Sequence, residues 1–186
     1  MDYYINITLK PDSNMRENVF LNQAYSKLHG VLVSLKSTDI GVSFPKYKVL
    51  LGNVIRIHGS ADRLEQLQPS QWLGELINQC DLSKILPVPS SACHRVCSRE
   101  QPNMSKSKLN RLIKRGSISS DQVKGYVAKM FGQGISHPFL ELKSVSNGHK
   151  HRRYIAFSPI TQRPTLGAFD QFGLSKSASI PWFQIG

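Results

Sequence analysis

The feature that most constrains the fold is the order of apolar patterns over residues 1–90. Residues 3–9, YYINITL, alternate as a short strand, and KPDSN then punctuates it. The next segment, ENVFLNQAYSKLHGVLVSL, places Phe20, Ala24, Leu28, Val31, Leu32 and Leu35 at helical spacing. Asp12, Ser13 and Asn14 offer caps for its start. Residues 40–44 predict a second strand, ended by Pro45. Residues 54–58 predict a third, with Ile55 and Ile57 on one face and Val54, Arg56 and His58 on the other. Residues 64–77 predict a helix that Pro69 breaks or restarts, and residues 85–88 a last strand. The order β-α-β-β-α-β describes a ferredoxin-like unit. That topology implies no function by itself.

Pro87, Pro89, Ser90 and Ser91 mark a boundary. The expected class is therefore α+β: a ferredoxin-like domain over residues 1–91, then a basic α/β region over residues 92–186. The second region shows the helix-forming stretch SKSKLNRLIKRG and another helix over residues 120–131. Short strands are expected at residues 139–144, 153–157 and 167–172.

Charge is distributed unevenly between the two regions. The chain carries 24 Lys and Arg against 12 acidic residues, a formal charge of +12. Residues 1–93 hold nine basic and eight acidic residues, whereas residues 94–186 hold fifteen and four. Such asymmetry points to nucleic acid or an anionic membrane as partner. No apolar run approaches the roughly 18–20 residues needed to span a bilayer, and MDYYINITLKPD has no secretory pattern. Cys80, Cys93 and Cys97 make an odd set that fits reduced cytoplasmic thiols. CHRVC has no second ligand pair elsewhere, so no metal or other cofactor is expected.

Within the basic stretch, Lys108, Arg111 and Arg115 fall at i, i+3 and i+7 and line one side of a helix, with Lys114 beside the row. Leu109, Leu112 and Ile113 are expected to bury against the protein on the other side. Residues 102–120 contain no acidic residue, so the row is not neutralised locally. Its charge is available to phosphates, with salt-dependent affinity. The helix alone does not choose between a B-form major groove and an A-form helix opened at a hairpin end.

His29 sits beside the buried stripe of the first helix, followed by Gly30. One reading is a histidine near a helix end, responding to the dipole. The other is a general base, because imidazole exchanges a proton near neutral pH without metal. For an RNA ligand its target would be a ribose 2′-hydroxyl. A second cluster, KSVSNGHKHRR, reads either as an ordinary basic turn or as a phosphate site. In the latter, Ser144, Ser146 and Asn147 would hold a ribose or phosphate, Gly148 would permit the turn, and His149 and His151 would be available as acids or stacking groups.

Taken in order, KLHG with His29, IGVSFP, IRIHGSADRL, HRVCSREQ, NRLIKR, the serine turn and FGLSKSASIPWF resemble the Csy-type CRISPR endoribonucleases of subtype I-F systems. The resemblance covers essentially the whole chain, and GLSK followed closely by PWF is its most specific part. It implies that His29 is the catalytic base and that Ser144 positions the reacting ribose. It also implies that Arg99 and Gln101 read bases near the foot of a hairpin stem. Arg111 and Arg115 would contact stem phosphates, assisted by Lys108 and Lys114. The implied reaction is metal-independent cleavage at the 3′ base of a CRISPR repeat hairpin, leaving a 2′,3′-cyclic phosphate and a 5′-hydroxyl. The protein would keep the mature crRNA and join the other subunits of the subtype I-F surveillance complex.

Two positions depart from the family pattern. Phe172 stands where a tyrosine often precedes GLSK, so it is expected to pack and to transfer no proton. His151 stands where members carry an aromatic, and an imidazole can still stack on a base. The alternative function is a non-catalytic hairpin-RNA-binding subunit; a duplex-DNA binder is a further rival.

Overall fold

β1 (Tyr3–Leu9) is the central strand, because its alternation turns Ile5, Ile7 and Leu9 into the core while Tyr4, Asn6 and Thr8 face the other way. In this computed structural model the described residues are 1–10, 15–67, 69–101, 104–132, 136–143 and 148–184. The caps expected from Asp12, Ser13 and Asn14 lie outside them. α1 (Glu17–Ser34) follows, and buries Phe20, Leu21, Ala24, Tyr25, Leu28 and Leu32 along one stripe. β2 (Gly41–Ser43) and β3 (Val54–Gly59) come next, then three short helical pieces. These are α2 (Ala61–Leu67), α3 (Pro69–Trp72) and a 3₁₀ turn at Gly74–Gln79. The break or restart expected at Pro69 within residues 64–77 is thus present, and the segment divides once more before Gly74. Pro69 opens a new turn, as suits a residue with fixed φ and no N–H to donate.

β4 (Cys80–Leu82) closes the sheet, in the order β2-β3-β1-β4 with every neighbour antiparallel. The strand expected at residues 85–88 shrinks to β5 (Leu86–Pro87), which continues along the Tyr3–Tyr4 end of β1. The class is α+β.

All six residues of β3 are buried. The polar face is covered from far along the chain. β6 (Cys93–Arg95) pairs with β10 (Ile180–Trp182), and Phe183 just beyond lies over Arg56 with the guanidinium carbon 3.8 Å from its ring centre. Arg56 also donates to Asn6 Oδ1 and to the Phe183 carbonyl, both at 2.8 Å. Burial brings its pKa down to about 10, so it remains charged at neutral pH. The PWF sequence is therefore a clamp on the first sheet. Arg95 sits among Tyr47, Phe157 and Trp182, with the guanidinium carbon 5.0–5.4 Å from each ring centre.

The second region adds β7 (Cys97–Glu100), α4 (Lys106–Lys114), α5 (Ser120–Gly132), β8 (Phe139–Lys143) and β9 (Lys150–Phe157). The last sheet runs β7-β9-β8. Leu140, Leu142, Ile155, Phe169, Leu174 and Ile180 join the same apolar core as Ile5, Leu28 and Ile57. Two expectations fail here. Residues 167–172 form a loop, not a strand, because Asp170 Oδ1 accepts from the Phe172 and Leu174 amides and so takes backbone donors away from any ladder. On α4 only Leu109 is buried; Leu112 is half-buried and Ile113 is 49% exposed.

Candidate functional site

α1 carries Tyr25 and His29 one turn apart, so both point toward the same neighbour. That neighbour is the loop before and within GLSK. Tyr25 Oη donates to the Phe172 carbonyl at 2.6 Å. Burial raises the Tyr25 hydroxyl far above the ordinary phenol range, although Arg153 opposes the shift, so it stays a donor. Asp170 pins the Phe172 amide at 2.9 Å. Gly173 makes the bend. Its φ is +68°, and a Cβ there would come within 2.3 Å of Val42 Cγ2. The same approach lets the Val42 amide donate to the Gly173 carbonyl at 2.8 Å, tying the loop to β2. Ser175 is structural as well. Its Oγ donates to the Ala168 carbonyl and accepts from the Ser177 and Ala178 amides.

His29 is half-buried and held at two points. Its Nδ1 lies 2.7 Å from the Gln171 carbonyl oxygen. A carbonyl has no proton to give, so Nδ1 must be the donor. In the neutral ring that leaves the lone pair on Nε2. The imidazole also stacks on Phe172, with ring centres 3.5 Å apart and planes 13° apart. Arg153, on β9, sits against the same ring, its guanidinium carbon 3.4 Å from the ring centre. Two groups that close to one centre cannot share a face, so His29 and Arg153 bracket Phe172 on opposite sides.

Arg153 is 5% exposed, its Nε has no hydrogen-bond partner, and it forms no ion pair among the described residues. Burial, and then the positive charge of Arg99, lower its pKa. Desolvating a lone cation costs several kcal/mol, whereas a cation–π contact contributes about 0.5–2. Phe172 therefore offsets only part of the cost.

The other side of the 168–176 loop faces β7. Arg99, the exposed Gln101, Asp170, Ser175 and Lys176 line an open cleft of about 690 Å³. With its amide oxygen turned toward Arg99, Gln101 accepts from the guanidinium at 2.9 Å. One loop thus joins the Arg99–Gln101 pair to His29. Sequence reasoning missed Tyr25, Gln171, Arg153 and Lys176. Only Lys176, an unneutralised cation inside a rare motif, carried a readable signal.

On α4, Lys106, Lys108, Arg111 and Lys114 are exposed, and Arg115 caps its end, also exposed. Among the described residues none of Lys106, Arg111, Lys114 or Arg115 forms an ion pair. Ser105 caps the start, its Oγ accepting from the Lys108 amide at 3.2 Å. His151 is exposed on β9, opposite Leu142. Ser144, Ser146 and Asn147 lie outside the described residues. The strand that leads to them, β8, runs beside α1, where the Glu141 amide donates to Asn22 Oδ1 at 3.0 Å.

Comparison with known proteins gives concordant matches. The family described as CRISPR-associated protein (Cas_Csy4) matches residues 4–183. A CRISPR-associated endonuclease Cas6/Csy4 of Escherichia coli (strain UTI89 / UPEC) is 35% identical over 98% of this chain and all of its own length. A protein of the same description from Pseudomonas aeruginosa (strain UCBPP-PA14) is 32% identical, again over 98% of this chain and all of its own length.

Proposed function

The chain belongs to the Cas_Csy4 family of CRISPR-associated proteins, and on that premise we propose that it is a metal-independent endoribonuclease that cleaves a CRISPR repeat hairpin at the 3′ base of its stem. The observation that carries the reading is the His29 Nδ1–Gln171 carbonyl contact at 2.7 Å. It commits the neutral imidazole to the tautomer whose Nε2 accepts a proton. Nε2 takes the proton of the 2′-hydroxyl, O2′ bonds to the adjacent phosphorus, and the P–O5′ bond breaks. The leaving O5′ takes a proton from solvent water and becomes a 5′-hydroxyl, the proton on Nε2 returns to solvent, and the phosphate closes to the 2′,3′-cyclic ester. General-base help of this kind is worth about 10²–10⁴-fold; in-line positioning, assigned to Ser144, supplies much of the rest.

The remaining roles follow the cleft and the basic helix. Arg99 and Gln101 read base edges at the foot of the stem. Lys108, Arg111, Lys114 and Arg115 engage stem phosphates, Ser146 and Asn147 hold the backbone near the cut, and His151 stacks on a terminal base. Residues 1–91, whose sheet order and antiparallel pairing support the ferredoxin-like reading, supply the base; residues 92–186 supply the grip. The protein acts in the cytoplasm, stays on the mature crRNA, and meets the other subunits of the subtype I-F complex in that form.

The test is to incubate purified protein with labelled repeat RNA in EDTA and identify the product ends. Cyclic phosphate and 5′-hydroxyl ends are expected, with no cut when the ribose before the scissile bond is 2′-deoxy. Loss of cleavage in EDTA would point to metal chemistry, and binding with no cleavage under any condition would point to the non-catalytic subunit.

A further inference from the structure

Gln171 and Phe172 hold His29 in different ways. The Nδ1 contact to the Gln171 carbonyl fixes one atom of the imidazole and leaves the ring free to turn about it. The plane of the ring is set by Phe172, 13° away from it. Where Nε2 points therefore depends on the plane of the phenyl ring.

That plane needs its own support. Tyr25 and Asp170 grip the Phe172 carbonyl and amide, which fixes the backbone and not the ring torsion. Among the described residues the two side chains closest to the ring faces are His29, which is the group to be positioned, and Arg153; the Tyr25 ring lies farther off, its centre 6.4 Å away and its plane 21° from parallel. Arg153 is buried, and its Nε is without a partner. Asp170, a carboxylate whose charge acts on Arg153, already accepts from two backbone amides. An aliphatic side chain would fill such a site without the cost of desolvating a charge. The flat guanidinium does something an aliphatic chain does not. With its central carbon 3.4 Å from the ring centre, it is attracted to the phenyl face and resists ring rotation.

We propose that Arg153 is a positioning residue for the cleavage reaction, acting through the face of Phe172 to orient the His29 imidazole and aim Nε2 at the 2′-hydroxyl. The inference rests on the reading of His29 as the base. It concerns a pair, Phe172 with Arg153, at the position where the sequence departs from tyrosine. With no phenol hydroxyl available at 172, the ring is held by its faces.

Arg153→Met and Arg153→Lys test this, compared with the wild type in single-turnover cleavage at saturating protein, in hairpin binding, and in the ¹H–¹⁵N signals of the His29 side chain. Arg153→Met keeps the bulk and loses the guanidinium. Its cleavage rate is expected to fall about 10–100-fold, the loss typical of a slightly misaimed catalytic group, with hairpin Kd unchanged within about two-fold. The His29 Nδ1–H signal should broaden as the ring gains freedom. Arg153→Lys, which keeps the cation, should recover part of the rate and sharpen the signal. A wild-type rate in Arg153→Met with an unaltered His29 signal overturns the proposal. So does a loss of rate matched by an equal loss of binding in both variants. Should Arg153→Met not fold, the Lys variant decides alone: a reduced rate at unchanged Kd with a broadened His29 signal supports the proposal, and a wild-type rate, whatever the signal, overturns it. His29→Ala is run alongside; retained cleavage there refutes the assignment of the base rather than the role of Arg153.

Discussion

Tyr25 and Phe172, 147 positions apart in the chain, meet through a 2.6 Å hydrogen bond from phenol to carbonyl. The bond fastens the carboxyl-terminal loop to the helix that carries His29. It lies beside the stack of His29 on Phe172. Structure and chemistry at this site therefore share parts, and changes in the loop should be felt in both.

Gly173→Ala is the sharpest probe of that sharing. The alanine would need a left-handed backbone and would drive a methyl into Val42. Strain and overpacking each cost roughly 1–3 kcal/mol. Urea unfolding should show a loss of about 2–6 kcal/mol, and cleavage should fall more steeply than the fraction folded, because Phe172 is displaced with the loop. Unchanged stability would mean that the bend does not need glycine.

Acid should weaken the fold through His58. Burial first, and Arg56 second, hold its pKa well below 6.5. Above about pH 6.5 the residue is neutral both folded and unfolded, so it adds no pH dependence there. Below that pH the unfolded chain takes up a proton that the folded chain refuses. Stability is then lost as pH falls, by up to about 1.4 kcal/mol per unit. Urea midpoints measured from pH 7.5 to 5 should show this decline in the wild type and a flatter one in His58→Gln. Equal slopes would remove His58 from the account.

Arg111→Ala and Arg115→Ala test the basic helix. Each removes one exposed cation that has no acidic partner among the described residues. If each neutralises a phosphate, hairpin affinity falls, and the slope of log K against log salt decreases by about 1 per variant. The rate at saturation should change little. An unchanged salt slope would place the RNA elsewhere.

Much of the architecture was legible because it is local. Alternation over YYINITL and VIRIH, and the helical stripe from Phe20 to Leu32, each report a buried face within a few residues. What covers the second face of β3 was not legible. Its cover, Phe183, comes from the far end of the chain, and no periodicity in VIRIH encodes that. Residues 167–172 misled because GAFDQF is a short run with two aromatics between Gly167 and Gly173, as a strand can be, while Asp170 uses its carboxylate to build a turn. At the site, His29 stood out by residue type. Its partner did not, since the contact is a main-chain oxygen of Gln171 that any residue could supply. Arg153 was hidden for the opposite reason. In HKHRR it looks like one more surface cation, and only the pairing of β9 between β7 and β8 turns it inward.

The most direct measurement is of His29→Ala: hairpin Kd and single-turnover cleavage rate, side by side with the wild type. Removing the imidazole takes away the proton acceptor and no cation, so binding should hold within about two-fold while the rate drops by at least about 10²-fold. Cleavage near the wild-type rate, or a loss of affinity as large as that of Arg115→Ala, would contradict the account.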